Sequence, residues 1–208
     1  MSESNPSKVR VERAKIPASL FTTDEQHPKD RFAAWQDSIG VIMDVRVASA
    51  EPPPQFAATV EGYLLEDVFL SRCKAGAQKF DRPTLKIARD SIDHYMIQLV
   101  IEGRIEMDHA GDRFTVPAGG LIAFDLAEVM DTFNSDFDLI SIIVPRRRLA
   151  PLLVNAESQQ GARVDPQSGS GKLLANYMAT LFSVAPTLSQ AEACLAARSL
   201  LDPCCSRI

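Results

Sequence analysis

The spacing of apolar and polar positions changes twice along the chain. In residues 23–40 the large apolar side chains return every three or four positions, as on the buried face of a helix: Phe32, Trp35 and Ile39. Gly40 can end this helix, and the three prolines at 52–54 interrupt any regular element. We therefore predict a short amphipathic helix that is anchored by the ring of Trp35.

Between residues 56 and 144 the pattern is that of short strands separated by turn residues. Nine strands are predicted, over 56–64, 68–73, 78–82, 94–101, 104–108, 113–116, 121–124, 129–133 and 137–144. The glycines within 102–104 and 110–112 predict hairpin turns. Strands this short and this evenly spaced are typical of an antiparallel sandwich or a closed barrel.

Helical spacing returns after Pro145. We predict a short helix over 146–154, an irregular connection over 158–171, and then two antiparallel helices separated near Pro186. Their apolar side chains are Leu173, Leu174, Tyr177, Met178, Leu181, Phe182, Leu188, Ala191 and Leu195. Two helix starts have the spacing of a capping box, Thr23 with Gln26 and Thr187 with Gln190.

These patterns combine into one fold class, mostly β with a helical appendage (α+β). We predict a jelly-roll barrel that is preceded by a short helix and followed by an antiparallel helical pair. The chain then divides into a flexible arm over 1–20, helix and barrel over 21–145, a helical segment over 146–202 and a tail over 203–208. A length of 208 residues suits one domain with an appendage better than two equal domains.

The predicted strand 94–101 offers candidates for ligand contacts. His94, Met96 and Gln98 alternate along it and therefore share one face. If that face lines a cavity, these residues supply the few oriented polar groups with which an apolar pocket holds a small molecule. If it does not, His94 and Gln98 are satisfied structurally or face solvent. The side chains of the opposite face are expected in the core: Tyr95, Ile97, Leu99 and Ile101.

Composition argues against several other functions. A net charge of −5 disfavours contact with a phosphate backbone, and the three arginines at 146–148 are too few for a nucleic-acid signature. No apolar run reaches the roughly 18 residues of a membrane span, and residues 1–10 lack the apolar segment of a signal peptide. We therefore expect a cytoplasmic protein that contacts neither membrane nor nucleic acid directly.

The sequence also lacks the motifs of metal and covalent catalysis. The histidines form no His-x-His pair and the cysteines show no paired metal-ligand spacing: His27, His94, His109, Cys73, Cys194, Cys204 and Cys205. Neither a nucleophile elbow nor a phosphate-binding loop is present. We predict no catalytic residues, no metal site and no cofactor.

The most specific pattern runs from Gly111 to Gly119. A glycine, five residues and then Pro117-Ala118-Gly119 place a strand between a hairpin and a sharp corner, and the spacing matches the second cupin motif. From Phe21 to about Leu201 the chain resembles the ligand-binding domain of AraC/XylS-type regulators. The further segments that carry this resemblance are Phe21-Thr22-Thr23, Arg31-Phe32-Ala33-Ala34-Trp35, Ala88-Arg89-Asp90, Tyr95-Met96-Ile97-Gln98-Leu99, Gly103, Phe124-Asp125 and Ile143-Val144-Pro145-Arg146.

The resemblance implies a cupin-like barrel that holds a small-molecule effector, and helices that pair two chains into a homodimer. Metal-binding cupins carry a histidine shortly after the Pro-x-Gly turn, where this chain has Ile122. We assign dimerisation to apolar residues of the helical pair, namely Leu173, Leu174, Tyr177, Met178, Leu181, Leu188 and Leu195.

The resemblance also implies a C-terminal pair of helix-turn-helix units, for which residues 202–208 are too short. The chain is either naturally short or part of a longer protein. If it is naturally short, heterodimers with full-length regulators are expected. Two alternative functions stay open, a small metal-independent cupin enzyme of the isomerase or dioxygenase type and a purely structural interaction domain.

Overall fold

The computed structural model describes residues 15–48, 55–153, 155–156 and 159–201. Within them the strands are β1 Ala18–Thr22, β2 Asp44–Val47, β3 Ala58–Leu65, β4 Val68–Ala75, β5 Gln78–Arg82, β6 His94–Glu102, β7 Arg104–His109, β8 Asp112–Pro117, β9 Leu121–Asp125, β10 Met130–Asn134, β11 Phe137–Pro145 and β12 Ala162–Val164. The α-helices are α1 Arg31–Ile39, α2 Thr84–Asp90, α3 Arg146–Leu149, α4 Gly169–Val184 and α5 Gln190–Leu200.

Two antiparallel sheets form a jelly-roll-like sandwich. The larger sheet has the strand order β1-β3-β4-β11-β6-β9-β12, and the smaller has the order β2-β5-β10-β7-β8. The chain passes from the larger sheet to the smaller between β6 and β7 and returns between β8 and β9. The predicted fold class, mostly β with a helical appendage, is confirmed.

Two hydrophobic clusters lie on opposite faces of the larger sheet. One lies beneath the C-terminal helices and includes Tyr95, Ile142 and Met178. The other lies between the two sheets and includes Met96, Phe80 and Trp35. The alternation of side chains along β6 and β11 therefore sends successive residues into different cores.

The nine predicted strands are confirmed, with ends that differ by no more than two residues from the observed ones. The hairpin at 110–112 is also confirmed, because it joins the paired strands β7 and β8. The hairpin predicted at 102–104 is wrong. Gly103 instead carries the chain from one sheet to the other, and a Cβ atom there would lie 2.1 Å from the backbone oxygen of Asp136.

Both predicted capping boxes are misplaced. Thr23 is buried, and its hydroxyl exchanges hydrogen bonds with the backbone of Ala58 instead of capping a helix. The first helix begins after two short 3-10 turns, over Thr23–Glu25 and Pro28–Asp30. The capping box of α5 is formed by Ser189 and Glu192, two residues beyond the predicted pair.

Several short elements were not predicted. Residues 18–20, predicted within a flexible arm, belong to β1, which pairs with β3 along its whole length. β12 lies within the predicted connection 158–171, and β2 and α2 were also missed. The rest of the predicted arm up to residue 14 and the tail 203–208 lie outside the described residues. In the part of the chain that is described, no helix has both the length and the apolar character to cross a bilayer.

Candidate ligand-binding site

A cavity of about 420 Å³ lies between the two sheets. Its walls come from both sheets and from the turn that follows α1. Leu20 on β1 and Val41 in that turn line the cavity and are 69% and 70% exposed, which marks its mouth. The volume falls within the range of about 300–1,000 Å³ that is usual for small-molecule sites.

A row of polar side chains crosses the floor of this cavity. Ser141 on β11 lies opposite Ser71 on β4 and opposite Gln98 on β6, so all three side chains project from the same face of the sheet. The row continues through Gly62 on β3 to Ser19 on β1. Gln98 Nε2 donates a hydrogen bond to Ser141 Oγ at 3.1 Å. We call these four side chains, Ser19, Ser71, Ser141 and Gln98, the polar row.

Apolar and aromatic side chains surround the polar row. The rings that line the cavity are those of Phe21, Phe69, Phe80, Phe124 and Phe137, and the methionines are Met43, Met96 and Met130. The ring of Phe69 fits only because Gly62 has no side chain, since a Cβ atom at Gly62 would lie 2.3 Å from Phe69 Cζ. The cavity therefore offers flat apolar surfaces on both sides of a hydrogen-bonding strip.

The smaller sheet contributes two polar side chains to the opposite wall, Thr132 and Asn134. Asn134 is buried, and its Oδ1 has no hydrogen-bond partner among the described residues. Its neighbour across the strands is Gln78, whose Oε1 already accepts a hydrogen bond of 2.7 Å from Trp35 Nε1. Trp35 is fully buried, as predicted for the anchor of α1.

The described lining of the cavity contains no side chain that is charged at neutral pH. Burial, with a smaller contribution from Asp138, raises the pKa of the Cys73 thiol well above its usual range, so this thiol stays protonated. A protonated buried thiol is a poor nucleophile and behaves as a small apolar side chain. The arrangement is thus suited to binding an organic molecule by shape, apolar contact and neutral hydrogen bonds.

Two of the three predicted ligand contacts line the cavity, Met96 and Gln98. His94 is not part of the lining and lies half-buried at the start of β6, opposite Pro145. Its Nδ1 is buried without a hydrogen-bond partner among the described residues. Burial lowers the pKa of His94, and Arg147 also lowers it, while Asp93 and Asp67 act in the opposite direction.

Sequence reasoning missed most of the polar row. Ser71 and Ser141 each interrupt an apolar strand at the position where the alternation requires an inward side chain. Such a serine, flanked by apolar residues two positions away on either side, is the signal that could have identified them. Asn134 gave no comparable signal, because it stands at the end of its strand.

The residues predicted for dimerisation divide into a covered and an exposed group. Leu174, Met178 and Leu181 are buried in the core of their own chain, because α4 packs them against the larger sheet. Tyr177 and Leu188 pack partly against the same core, and Tyr177 Oη donates a hydrogen bond to the backbone oxygen of Ala196. The exposed members are Leu173 and Leu195, at 73% and 63%.

An ion-pair network joins the larger sheet to α3. Arg146 donates hydrogen bonds to Asp93 and to the buried Asp125, and also to Tyr95 Oη at 2.5 Å. Burial opposes the charged form of Arg146, but these carboxylates outweigh it and raise its pKa. The other two arginines of this triplet pair with the carboxylates of the β3–β4 turn, Glu66 and Asp67. The basic triplet is therefore largely neutralised within the chain.

Known proteins share this architecture. A sequence model of the family described as AraC-binding-like domain matches residues 35–204. The transcriptional activator NphR of a Rhodococcus species is 26% identical over 197 residues, which are 91% of this chain and 58% of NphR. The crystal structure of the AraC-like transcriptional activator CuxR superposes with a TM-score of 0.80 at 20% identity, over 91% of this chain and 71% of CuxR. The chain thus spans less than two thirds of the length of NphR.

Proposed function

Since the chain belongs to the AraC-binding-like domain family, we propose that it is the effector-sensing module of a transcription regulator, and that the effector binds in the cavity between the sheets. One observation carries this proposal. A cavity of about 420 Å³ lies between the sheets, against one of about 10 Å³ beside Tyr95 and Ile97 in the other core, and a polar row crosses the floor of the larger one. Protein interiors are normally close-packed, so a void of this size favours a binding site.

The same observation weighs against the enzymatic alternative. The described cavity lining offers hydroxyls, amides, a protonated thiol and apolar groups, but no acid, base or cation that would act on a substrate. The similar proteins are named as transcriptional activators. A purely structural domain would gain stability by filling the cavity, which favours the sensor over that alternative as well.

A thermal-shift screen of neutral and charged metabolites tests the proposal. An effector present at about 100 times its dissociation constant stabilises the folded state by roughly 2.7 kcal/mol, which raises the melting temperature by several degrees. Ser141→Leu fills the middle of the polar row and should remove the shift. Ser183→Leu, the same change at an exposed position of α4, should retain it. A shift that survives Ser141→Leu would place the effector elsewhere, and no shift with any compound would contradict the sensing role.

We further propose that the outer faces of α4 and α5 pair two chains. The support is the exposure of Leu173 and Leu195, which are large apolar side chains outside the chain's own core. Light scattering at micromolar concentration should give the mass of a dimer. The double variant Leu173→Glu with Leu195→Glu should give a monomer, whereas Leu85→Glu, at a 60% exposed leucine of α2, should stay dimeric. A monomeric wild-type chain would overturn this proposal and leave effector sensing intact.

A further inference from the structure

We infer that the effector is an uncharged molecule with a flat apolar body and one hydrogen-bonding edge, and that this edge lies along the polar row. This inference rests on the proposed function and goes further by naming the class of ligand. Its evidence is the chemistry of the cavity lining: four of its seven neutral polar side chains form the polar row, and aromatic and sulfur-containing side chains lie around that row.

Charge is the first criterion. An ionised carboxylate or phosphate that leaves water for an apolar pocket loses several kcal/mol unless a cation or several donors compensate it. The cations of the larger sheet near this region are already paired: Arg72 donates two hydrogen bonds to Asp138, and Lys74 Nζ lies 3.0 Å from the same carboxylate. These pairs are not part of the cavity lining. The cavity therefore selects against anions and, lacking carboxylates in its described lining, against cations.

Geometry gives the second criterion. Neighbouring strands lie about 4.8 Å apart, so Ser71, Ser141 and Gln98 distribute their polar groups over roughly 10 Å. Hydroxyls both donate and accept, and an amide offers both functions as well. A ligand edge with hydroxyl, amine or carbonyl groups matches this strip. A ligand without such groups would bury the polar groups of the row without hydrogen bonds, which costs free energy.

The surface beside the row gives the third criterion. Asn134 on the opposite wall also lines the cavity, but its Oδ1 has almost no accessible surface, so we assign the ligand's hydrogen bonds to the polar row. The ring of Phe69, which lies against Gly62 beside the row, provides a flat surface for an aromatic or alicyclic body.

Calorimetric titration with three probes of similar size tests the inference at pH 7.5. 2-Naphthol is neutral and donates a hydrogen bond, 2-methoxynaphthalene is neutral without a donor, and 2-naphthoate is an anion. We expect 2-naphthol to bind about tenfold more tightly than the methyl ether, because only the phenol can donate a hydrogen bond to an oxygen of the polar row. 2-Naphthoate should bind at least about a hundredfold more weakly than 2-naphthol.

Two variants assign these differences to the cavity. Gln98→Leu replaces the amide of the polar row with an apolar side chain of similar size, so the tenfold preference for 2-naphthol over the ether should largely disappear. Gly62→Ala pushes the ring of Phe69 into the cavity and should weaken all neutral probes together. If Gly62→Ala does not fold, Ser71→Phe serves the same purpose from the neighbouring strand.

The outcomes separate this inference from the proposed function. Binding of 2-naphthoate as tight as that of 2-naphthol would overturn the neutral class, and so would the absence of 2-naphthol binding at millimolar concentration. An anionic metabolite that stabilises the wild type but not Ser141→Leu would also overturn it, while confirming that the cavity is the effector site. If no metabolite stabilises the chain, the sensing role itself fails.

Discussion

The two faces of β6 and β11 are occupied in opposite ways. On the face beneath the helices, Tyr95, Ile97 and Ile142 are buried in a continuous core that α4 and α5 complete. On the face between the sheets, Met96, Gln98 and Ile143 border an open cavity. Successive residues of the same two strands therefore stabilise the fold on one side and leave room for a ligand on the other.

This contrast indicates where stability and sensing can be altered separately. Close packing makes the helical face sensitive to any change of volume, whereas side chains at the cavity can change size with less cost. A regulator benefits from such a division, because the ligand site can diverge while the scaffold is kept. The following substitutions test the division from the largest expected effect to the smallest.

Truncation of two adjacent isoleucines is the most direct test. Ile142 is fully buried on the helical face, and Ile143 lines the cavity. Ile142→Ala should lower the free energy of unfolding by about 3–4 kcal/mol, because it leaves a void in a filled core. Ile143→Ala should cost no more than about 1.5 kcal/mol, because part of that side chain already borders empty space. Urea denaturation measures both, and equal losses would contradict the contrast.

Two adjacent arginines extend the comparison to the ends of the strands. Arg146→Ala leaves the buried Asp125 without its cationic partner, although the Ala127 N–H still donates to it, and should cost about 2–3 kcal/mol. This is less than for a fully buried pair, because Arg146 keeps some solvent contact. Arg147→Ala removes an exposed pair with Asp67 and should cost less than about 1 kcal/mol. Urea denaturation at neutral pH gives both values. If Arg147→Ala lowers the free energy of unfolding as much as Arg146→Ala does, burial does not determine how strongly these ion pairs stabilise the fold.

Substitutions that add volume, instead of removing it, should also affect the two faces differently. Ala197 on α5 is fully buried, so Ala197→Leu should overpack the helical face and cost about 1–3 kcal/mol. Ser71→Leu places similar bulk in the cavity, where it should change the melting temperature by no more than about 3 °C. Calorimetric melting of both variants checks this. A stronger loss for Ser71→Leu would mean that the cavity is not free space.

The strands were predictable from the sequence because their apolar runs and turn residues are local signals. The separation of the two faces of strand 94–101 was also predictable, since alternation follows from strand geometry. Several features were not predicted, and two of them show why. The first 3-10 turn before α1 begins at Thr23, whose hydroxyl bonds to the backbone of Ala58, 35 residues away, and no local pattern records such a contact. β12 consists of only three residues, and its strand conformation depends on pairing with β9.

The site was predictable only in part for the same reason. Met96 and Gln98 were found because they share a strand, whereas the polar row is assembled across four strands and depends on their register. His94 has the correct alternation but lies at the end of β6, beyond the cavity. Leu174 and Met178 were predicted to pair two chains but are buried within their own chain. An apolar stripe on a helix does not indicate whether it packs within its own chain or against a second one.

The smallest expected effect concerns pH. His94 belongs by alternation to the cavity face of β6, but it is half-buried and its pKa is lowered from 6.5, chiefly by burial. The unfolded chain therefore takes up a proton before the folded chain does, and stability should fall as the pH drops below about 6.5. Above that value neither state gains the proton and stability should be flat. His94→Gln should remove the decline between pH 6.5 and 5, as followed by melting temperature.

The same substitution at His109, at the β7–β8 hairpin, serves as the control and should leave the decline in place. The buried carboxylate of Asp138 does not interfere with the measurement, because its pKa is lowered. Burial alone would raise it, but the hydrogen bonds from Arg72 and Lys74 outweigh burial. The stability that Asp138 contributes is therefore lost only below about pH 5, where the unfolded form of Asp138 begins to take up protons. If the decline persists in His94→Gln but disappears in His109→Gln, the titrating group is His109 at the hairpin and not His94 in the sheet.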